Sequence, residues 1–89
     1  MNEIHTMNSS LPPMHTLRAF EAIGRLRSFT LAAEELHVTH SAISHQMRAL
    51  ESSLQTSLID RSRREISLTS SGQQFLSIVR PVLQQLSEI

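Results

Sequence analysis

The sequence predicts a mainly α domain built on a helix-turn-helix, with one β-hairpin and a longer C-terminal helix. Three observations carry that expectation. Apolar residues recur at helical spacing in segments separated by good capping residues. A short helical segment, a tight turn and a longer helical segment follow one another over Phe29–Leu54. After Leu54 the pattern changes to two short apolar runs around a polar, arginine-rich tip, and then returns to helical spacing.

The elements follow in chain order. Met1–Ser10 has no period and reads as a frayed segment, and Pro12-Pro13 closes a flexible tail over residues 1–13. Proline suits the position just before or at a helix start. A first helix is expected over Met14–Leu26, with Leu17, Phe20 and Ile23 on one face and Arg18 and Glu21 on others. Gly24 costs it some helicity but permits close packing. Thr30 is the expected N-cap of a short second helix, Leu31–Leu36, because its hydroxyl can accept an orphan amide of the next turn. Ala32, Ala33 and Leu36 form the inner side of that helix, and Glu34 and Glu35 its polar side. His37-Val38 makes the turn. Thr39 caps a third helix, His40–Leu54, whose stripe Ile43, Met47, Leu50 and Leu54 is one helical face. Leu58-Ile59 and Glu65–Leu68 read as strands of a hairpin with Asp60–Arg64 at its tip. Thr69 caps a last helix over Ser70–Ile89, with a stripe of Gly72, Phe75, Leu76, Val79, Leu83 and Leu86 and a kink expected at Pro81. The chain thus divides into a tail (1–13), a core domain (14–69) and a terminal helix (70–89).

Composition narrows the function. A chain of 89 residues fits one small domain. It has no cysteine, so helix packing and not a disulfide or thiolate metal site must hold it together. Three Phe and no Trp or Tyr argue against a single-strand binder that stacks bases on exposed rings. No apolar run is long enough for a membrane span, and Met1–Ser10 lacks the apolar centre of a signal peptide, so the cytoplasm is the expected compartment.

Net charge is zero, but its distribution is uneven. Residues 37–64 carry Arg48, Arg61, Arg63 and Arg64 against Glu51 and Asp60, a local balance of +2, and the segments on either side are each −1. All eight basic residues are Arg, which suits bidentate contacts to phosphate and guanine.

A short helix, a tight turn and a longer helix point to double-stranded DNA as the partner. With Ile43 and Met47 turned inward, the third helix leaves His40, Ser41, Ser44, His45 and Arg48 free in its first half. In such motifs the N-terminal residues of the second helix reach base edges in the major groove. His40, Ser41, Ser44 and His45 are therefore the candidate base readers, with Arg48 one turn on toward a phosphate. Free amides at the helix start, behind Thr39, attract a phosphate. Arg61, Arg63 and Arg64 can lie along the backbone or enter a narrow minor groove.

Other readings have less support. His40 and His45 are five apart, which is poor for sharing one metal ion. Adjacent Ser44 and His45 do not face each other as nucleophile and base must. No catalytic residue, cofactor or metal site is expected. A protein-interaction module is the rival class, motivated by the neutral net charge; base-selective DNA binding would remove it as the main function.

The segment "LRAFEAIGRLRSFTLAAEELHVTHSAISHQMRALESSLQTSLIDR", followed by "ISLTSSG", resembles the N-terminal domain of LysR-type transcriptional regulators, in the subgroup typified by the glycine-cleavage regulator. The resemblance runs over about Leu11–Leu86. It is specific because Phe20, Ser28-Phe29-Thr30, Ala32-Ala33, Leu36, Ser44, Gln46, Leu50-Glu51, Leu58, Arg61, Leu68-Thr69 and Gly72 occur together. It implies a winged helix-turn-helix with a two-stranded β wing and a long linker helix that dimerises. It also implies an effector-binding domain that these residues do not include. The implied partners are operator DNA and a second copy, with a tetramer as a further assembly of a full-length protein. The implied base readers fall on His40, Ser41, Ser44 and His45, the wing positions on Arg61 and Arg64, and a phosphate contact on Thr30. The interface expected on the linker helix comprises Phe75, Leu76, Val79, Leu83 and Leu86. His40 stands where Gln is usual in the family, His45 where Arg is usual, Arg27 and Gln55 where Gly is usual, and Ile59 where Phe is usual.

Overall fold

The computed structural model describes residues 11–87, so the first ten residues of the expected tail (1–13) and the last two residues of the chain lie outside it. Among the described residues four helices, α1 (Met14–Leu26), α2 (Phe29–Leu36), α3 (His40–Leu54) and α4 (Ser70–Ser87), surround one core, and strands β1 (Ile59–Asp60) and β2 (Ser67–Leu68) form a hairpin between α3 and α4. The strands pair antiparallel, Ile59 opposite Leu68 and Asp60 opposite Ser67. This is the mainly α winged helix-turn-helix that the sequence predicts.

Each helix begins and ends for a local reason. The Pro13 carbonyl accepts both the amide and the hydroxyl of Thr16, at 3.0 and 2.7 Å, so the buried Thr16 hydroxyl is satisfied. Ser28, not Thr30, caps α2; its Oγ accepts the Leu31 amide at 3.0 Å. The helix therefore starts at Phe29, two residues before the expected Leu31, and Thr30 lies exposed in its first turn. The reason is tertiary: Phe29 is buried, and only a helix that includes it turns its ring under α3. Thr39 Oγ1 accepts the Ala42 amide at 3.1 Å and opens α3 as expected. Thr69 Oγ1 accepts the Gly72 amide at 2.9 Å and donates to the Ser57 carbonyl at 2.7 Å.

The first three helices end on residues in the left-handed region: Arg27 (φ 53°), His37 (φ 59°) and Gln55 (φ 53°). After α2 the Val38 amide reaches the Ala33 carbonyl and the His37 amide the Glu34 carbonyl; after α3 Thr56 and Gln55 do the same to Glu51 and Ser52. Both are Schellman closures, which glycine makes without the cost of roughly 1 kcal/mol that a side chain incurs.

The core is centred on Phe20, Ile23, Ile43, Met47, Leu50, Leu58 and Ile59, all fully buried. Val38 and Leu36 pack on its edge and hold α2 against α3. The Phe20 and Phe75 rings lie 5.5 Å apart, which seats α4 on α1. Two glycines permit that approach. A β carbon at Gly24 would stand 3.1 Å from the Leu76 side chain, and one at Gly72 would overlap the Leu58 carbonyl.

The strands are shorter than predicted. Leu58 is outside the ladder because its amide is taken by the Glu51 side chain, although its carbonyl still accepts the Thr69 amide across the hairpin. Glu65 and Ile66 precede the paired residues of β2.

Only part of the stripe expected as an interface along α4 is exposed. Leu76 and Val79 are buried within their own domain, 8% and 4% exposed, because Gly72, Leu76 and Val79 are the face α4 turns to the core. Phe75 is half-buried against Phe20, and Leu83 is half-buried over Met14 and Leu36. The apolar residues left outside are Ile78, Val82 and Leu86, spaced four apart along one side of α4. No described helix is long and apolar enough to cross a membrane.

Candidate nucleic-acid interface

The outer face of α3 is polar throughout its first half. His40, Ser41, His45 and Arg48 are exposed and Ser44 is half-buried, and the opposite face, Ile43, Met47 and Leu50, is buried. The outer residues form two adjacent rows. His40 and Ser44 are one turn apart and point toward the wing; Ser41, His45 and Arg48 form the next row. Thr39 is exposed, and its Oγ1 lies 3.3 Å from Ser41 Oγ, so cap and reading face share one hydroxyl pair.

A cleft of 630 Å³ opens between the start of α2, the start of α3 and the wing. Its walls bring together Thr30, His40, Ser44, Arg61, Arg63 and Arg64, which the sequence had named from three separate segments. Arg27, Phe29 and Glu65 also line it. Arg27 had been noted only as a departure from a glycine. His45 and Arg48 do not line the cleft and extend the polar surface along α3.

The arginines differ in their commitments. Arg61 Nη1 donates to Glu51 Oε1 at 3.3 Å, and its Cζ stands 5.6 Å from the centre of the Phe29 ring. Arg27, Arg48, Arg63 and Arg64 have no ion-pair partner among the described residues. Arg25 lies away from the cleft and bridges Glu21, at 2.9 Å, and Glu35. Hydrogen bonds from Arg25 hold the Glu35 carboxyl below the usual carboxylate range and, with Glu21, push the Arg25 guanidinium up.

The wing tip is shaped by Asp60. Its Oδ1 accepts the Ser62 hydroxyl at 2.6 Å and the Ser62 amide at 2.9 Å. These bonds hold the Asp60 carboxyl below its ordinary value, with a smaller contribution from Arg63. The root of the wing is tied to α3 by Glu51. One carboxylate oxygen accepts the Leu58 and Ile59 amides, at 2.8 and 3.0 Å, and the other accepts Arg61. Sequence reasoning had placed Glu51 in the Leu50-Glu51 pair of the resemblance without a role.

The match to the helix-turn-helix model described as "Bacterial regulatory helix-turn-helix protein, lysR family" covers residues 14–73. The chain belongs to the LysR family. It is 44% identical over 82 residues to the glycine cleavage system transcriptional activator of Escherichia coli K12, covering 92% of this chain and 27% of that protein. To the regulator TrpI of Pseudomonas aeruginosa it is 53% identical over 66 residues, 74% of this chain and 22% of that one. The chain thus spans about a quarter of these LysR-family relatives. Among solved structures, the BenM DNA-binding domain bound to catB site 1 DNA superposes with a TM-score of 0.81 at 29% identity, covering 85% of this chain and 84% of that one. Vibrio fischeri DarR in complex with DNA gives a TM-score of 0.76 at 33% identity, over 82% of this chain and 25% of that one.

Proposed function

We propose that this chain is the DNA-docking part of a bacterial transcription regulator, with α3 in the major groove and the wing on the adjoining backbone or minor groove. The observation that carries the reading is the polar outer face of α3 beside a cleft rimmed by unpaired arginines. His40, Ser41, Ser44 and His45 present donors and acceptors suited to base edges. Arg48, Arg63 and Arg64 reach phosphates or the minor groove, and Thr30 and Thr39 offer hydroxyls at the starts of α2 and α3, where free amides favour an anion. The neutral net charge is compatible with this, because Glu21 and Glu35 are spent on Arg25 away from the cleft. The DNA complexes of BenM and DarR, members of the same family, support the reading. A DNA partner makes the bacterial cytoplasm the place of action, and the chemistry needs no catalytic residue.

Two copies would act together, joined along α4. The stripe Ile78, Val82 and Leu86 supports this, with Leu83 at its margin, and takes the place of the buried Leu76 and Val79.

The test is selection of bound sequences from a random duplex library, then affinity for a selected and a scrambled duplex across salt. A preference for the selected duplex is expected. About three phosphate contacts per copy would lower affinity roughly 40-fold between 50 and 200 mM salt. Equal, weak affinity for both duplexes at every salt concentration would contradict the reading.

A further inference from the structure

We infer that Arg61 is a positioning residue that couples the wing to His40 through the Phe29 ring, and is not a phosphate contact. The inference rests on the DNA-docking reading above and assigns a different task to one of its arginines. Four side chains carry it. The His40 ring stacks on Phe29, with centroids 5.9 Å apart and planes inclined by 29°. The Arg61 guanidinium lies 5.6 Å from the centre of the same ring. Arg61 also donates to Glu51, whose other oxygen holds the Leu58 and Ile59 amides at the root of the wing. Phe29 itself is 9% exposed and is fixed by the core.

The connection runs from the first residue of α3, across α2 and the wing, and back to the last turn of α3. His40 is otherwise exposed at a helix end, where an imidazole samples several rotamers. Stacking on a ring that the core fixes and that also carries the Arg61 guanidinium beside it selects among them, which a base-reading side chain needs. The guanidinium charge is already partly met by a carboxylate that is 14% exposed, so Arg61 has less uncompensated charge for a phosphate than Arg63 and Arg64. Arg63 and Arg64 have no such partner among the described residues.

Two properties separate a positioning residue from a phosphate contact. A phosphate contact contributes about one unit to the salt slope and acts on all sequences alike. A positioning residue leaves the slope alone and alters preference at the base its partner reads. The experiment compares wild type, Arg61→Gln, Arg64→Gln, His40→Ala and the Arg61→Gln/His40→Ala pair on the selected duplex and its single-base variants, over a salt series. Arg64→Gln should flatten the slope by about one with base preference kept. Arg61→Gln should keep the slope and relax preference at the same base pair that His40→Ala relaxes. The double variant should be no more relaxed there than His40→Ala alone, since coupled residues are non-additive. In the free protein, Arg61→Gln should shift the His40 ring protons, which sense the Phe29 ring current, with the melting temperature within a few degrees of wild type.

Arg61→Gln flattening the slope by about one with base preference unchanged would overturn the inference and leave DNA docking standing. Additive relaxation, or unmoved His40 resonances, would also overturn it. A wild-type chain with no base preference overturns the docking reading as well, and does so before any variant is compared.

Discussion

Helices α3 and α4 are both amphipathic, both bury one stripe in the same core, and differ in what they leave outside. The outer face of α3 holds His40, Ser41, Ser44, His45 and Arg48, short or planar heads with hydrogen-bonding capacity. The outer face of α4 holds Ile78, Val82 and Leu86, 63%, 45% and 45% exposed. A face of donors and acceptors gains little from another protein's apolar surface and much from base edges and phosphates. A row of exposed aliphatic side chains has nothing to offer DNA and gains by meeting its like. On the reading proposed above, the two helices divide the labour, α3 toward nucleic acid and α4 toward a second chain.

The comparison can be broken first on the inner side of α4. Gly72→Ala places a methyl group into the Leu58 carbonyl, so it should destabilise by about 3 kcal/mol or more, read by denaturant unfolding. Leu76→Ala should cost about 2–4 kcal/mol, as buried leucines do. Ile78→Ser, two residues on, should change stability by no more than about 0.5 kcal/mol. It should instead shift the chain toward monomer in sedimentation. A variant pair that reverses these outcomes would interchange the two faces of α4. Next comes the outer side of the wing: Arg63→Ala should weaken binding to all duplexes alike and reduce the salt slope by about one. Gln55→Gly should stabilise by about 0.5–1 kcal/mol, since φ 53° favours glycine, without altering base preference. The smallest effect concerns Glu35. Its carboxyl titrates low because of Arg25, so the stability it contributes is present above the ordinary carboxylate pKa and fades as pH falls through the lowered value. Carboxyl NMR titration should show its midpoint rise in Arg25→Ala.

Much of this was legible in the sequence, for physical reasons. The bounds of α1 and α3 coincide with those predicted, because each has a strong period and a clear start, at Pro12-Pro13 and at Thr39. The polar face of α3 followed from the same period. The start of α2 was misplaced because Ser28 and Thr30 can both cap a helix, and the stronger cap, Ser28, is also the one that lets Phe29 be buried. The apolar residues of α4 were read as one surface because a helix with apolar residues on two sides does not say which side its own domain covers. The Glu51 tie to Leu58 and Ile59 spans seven and eight residues across a loop, beyond the reach of any periodicity. Arg61 looked like its neighbours Arg63 and Arg64 in sequence; only the fold shows that it has a carboxylate and a ring already beside it.

The division of labour between the two helices is tested most directly by amide NMR shifts on titration with a selected duplex. The account predicts changes concentrated in residues 39–48 and 61–65, with residues 78–86 unaffected by DNA and sensitive to protein concentration. DNA-dependent shifts along residues 78–86 with α3 unmoved would contradict it.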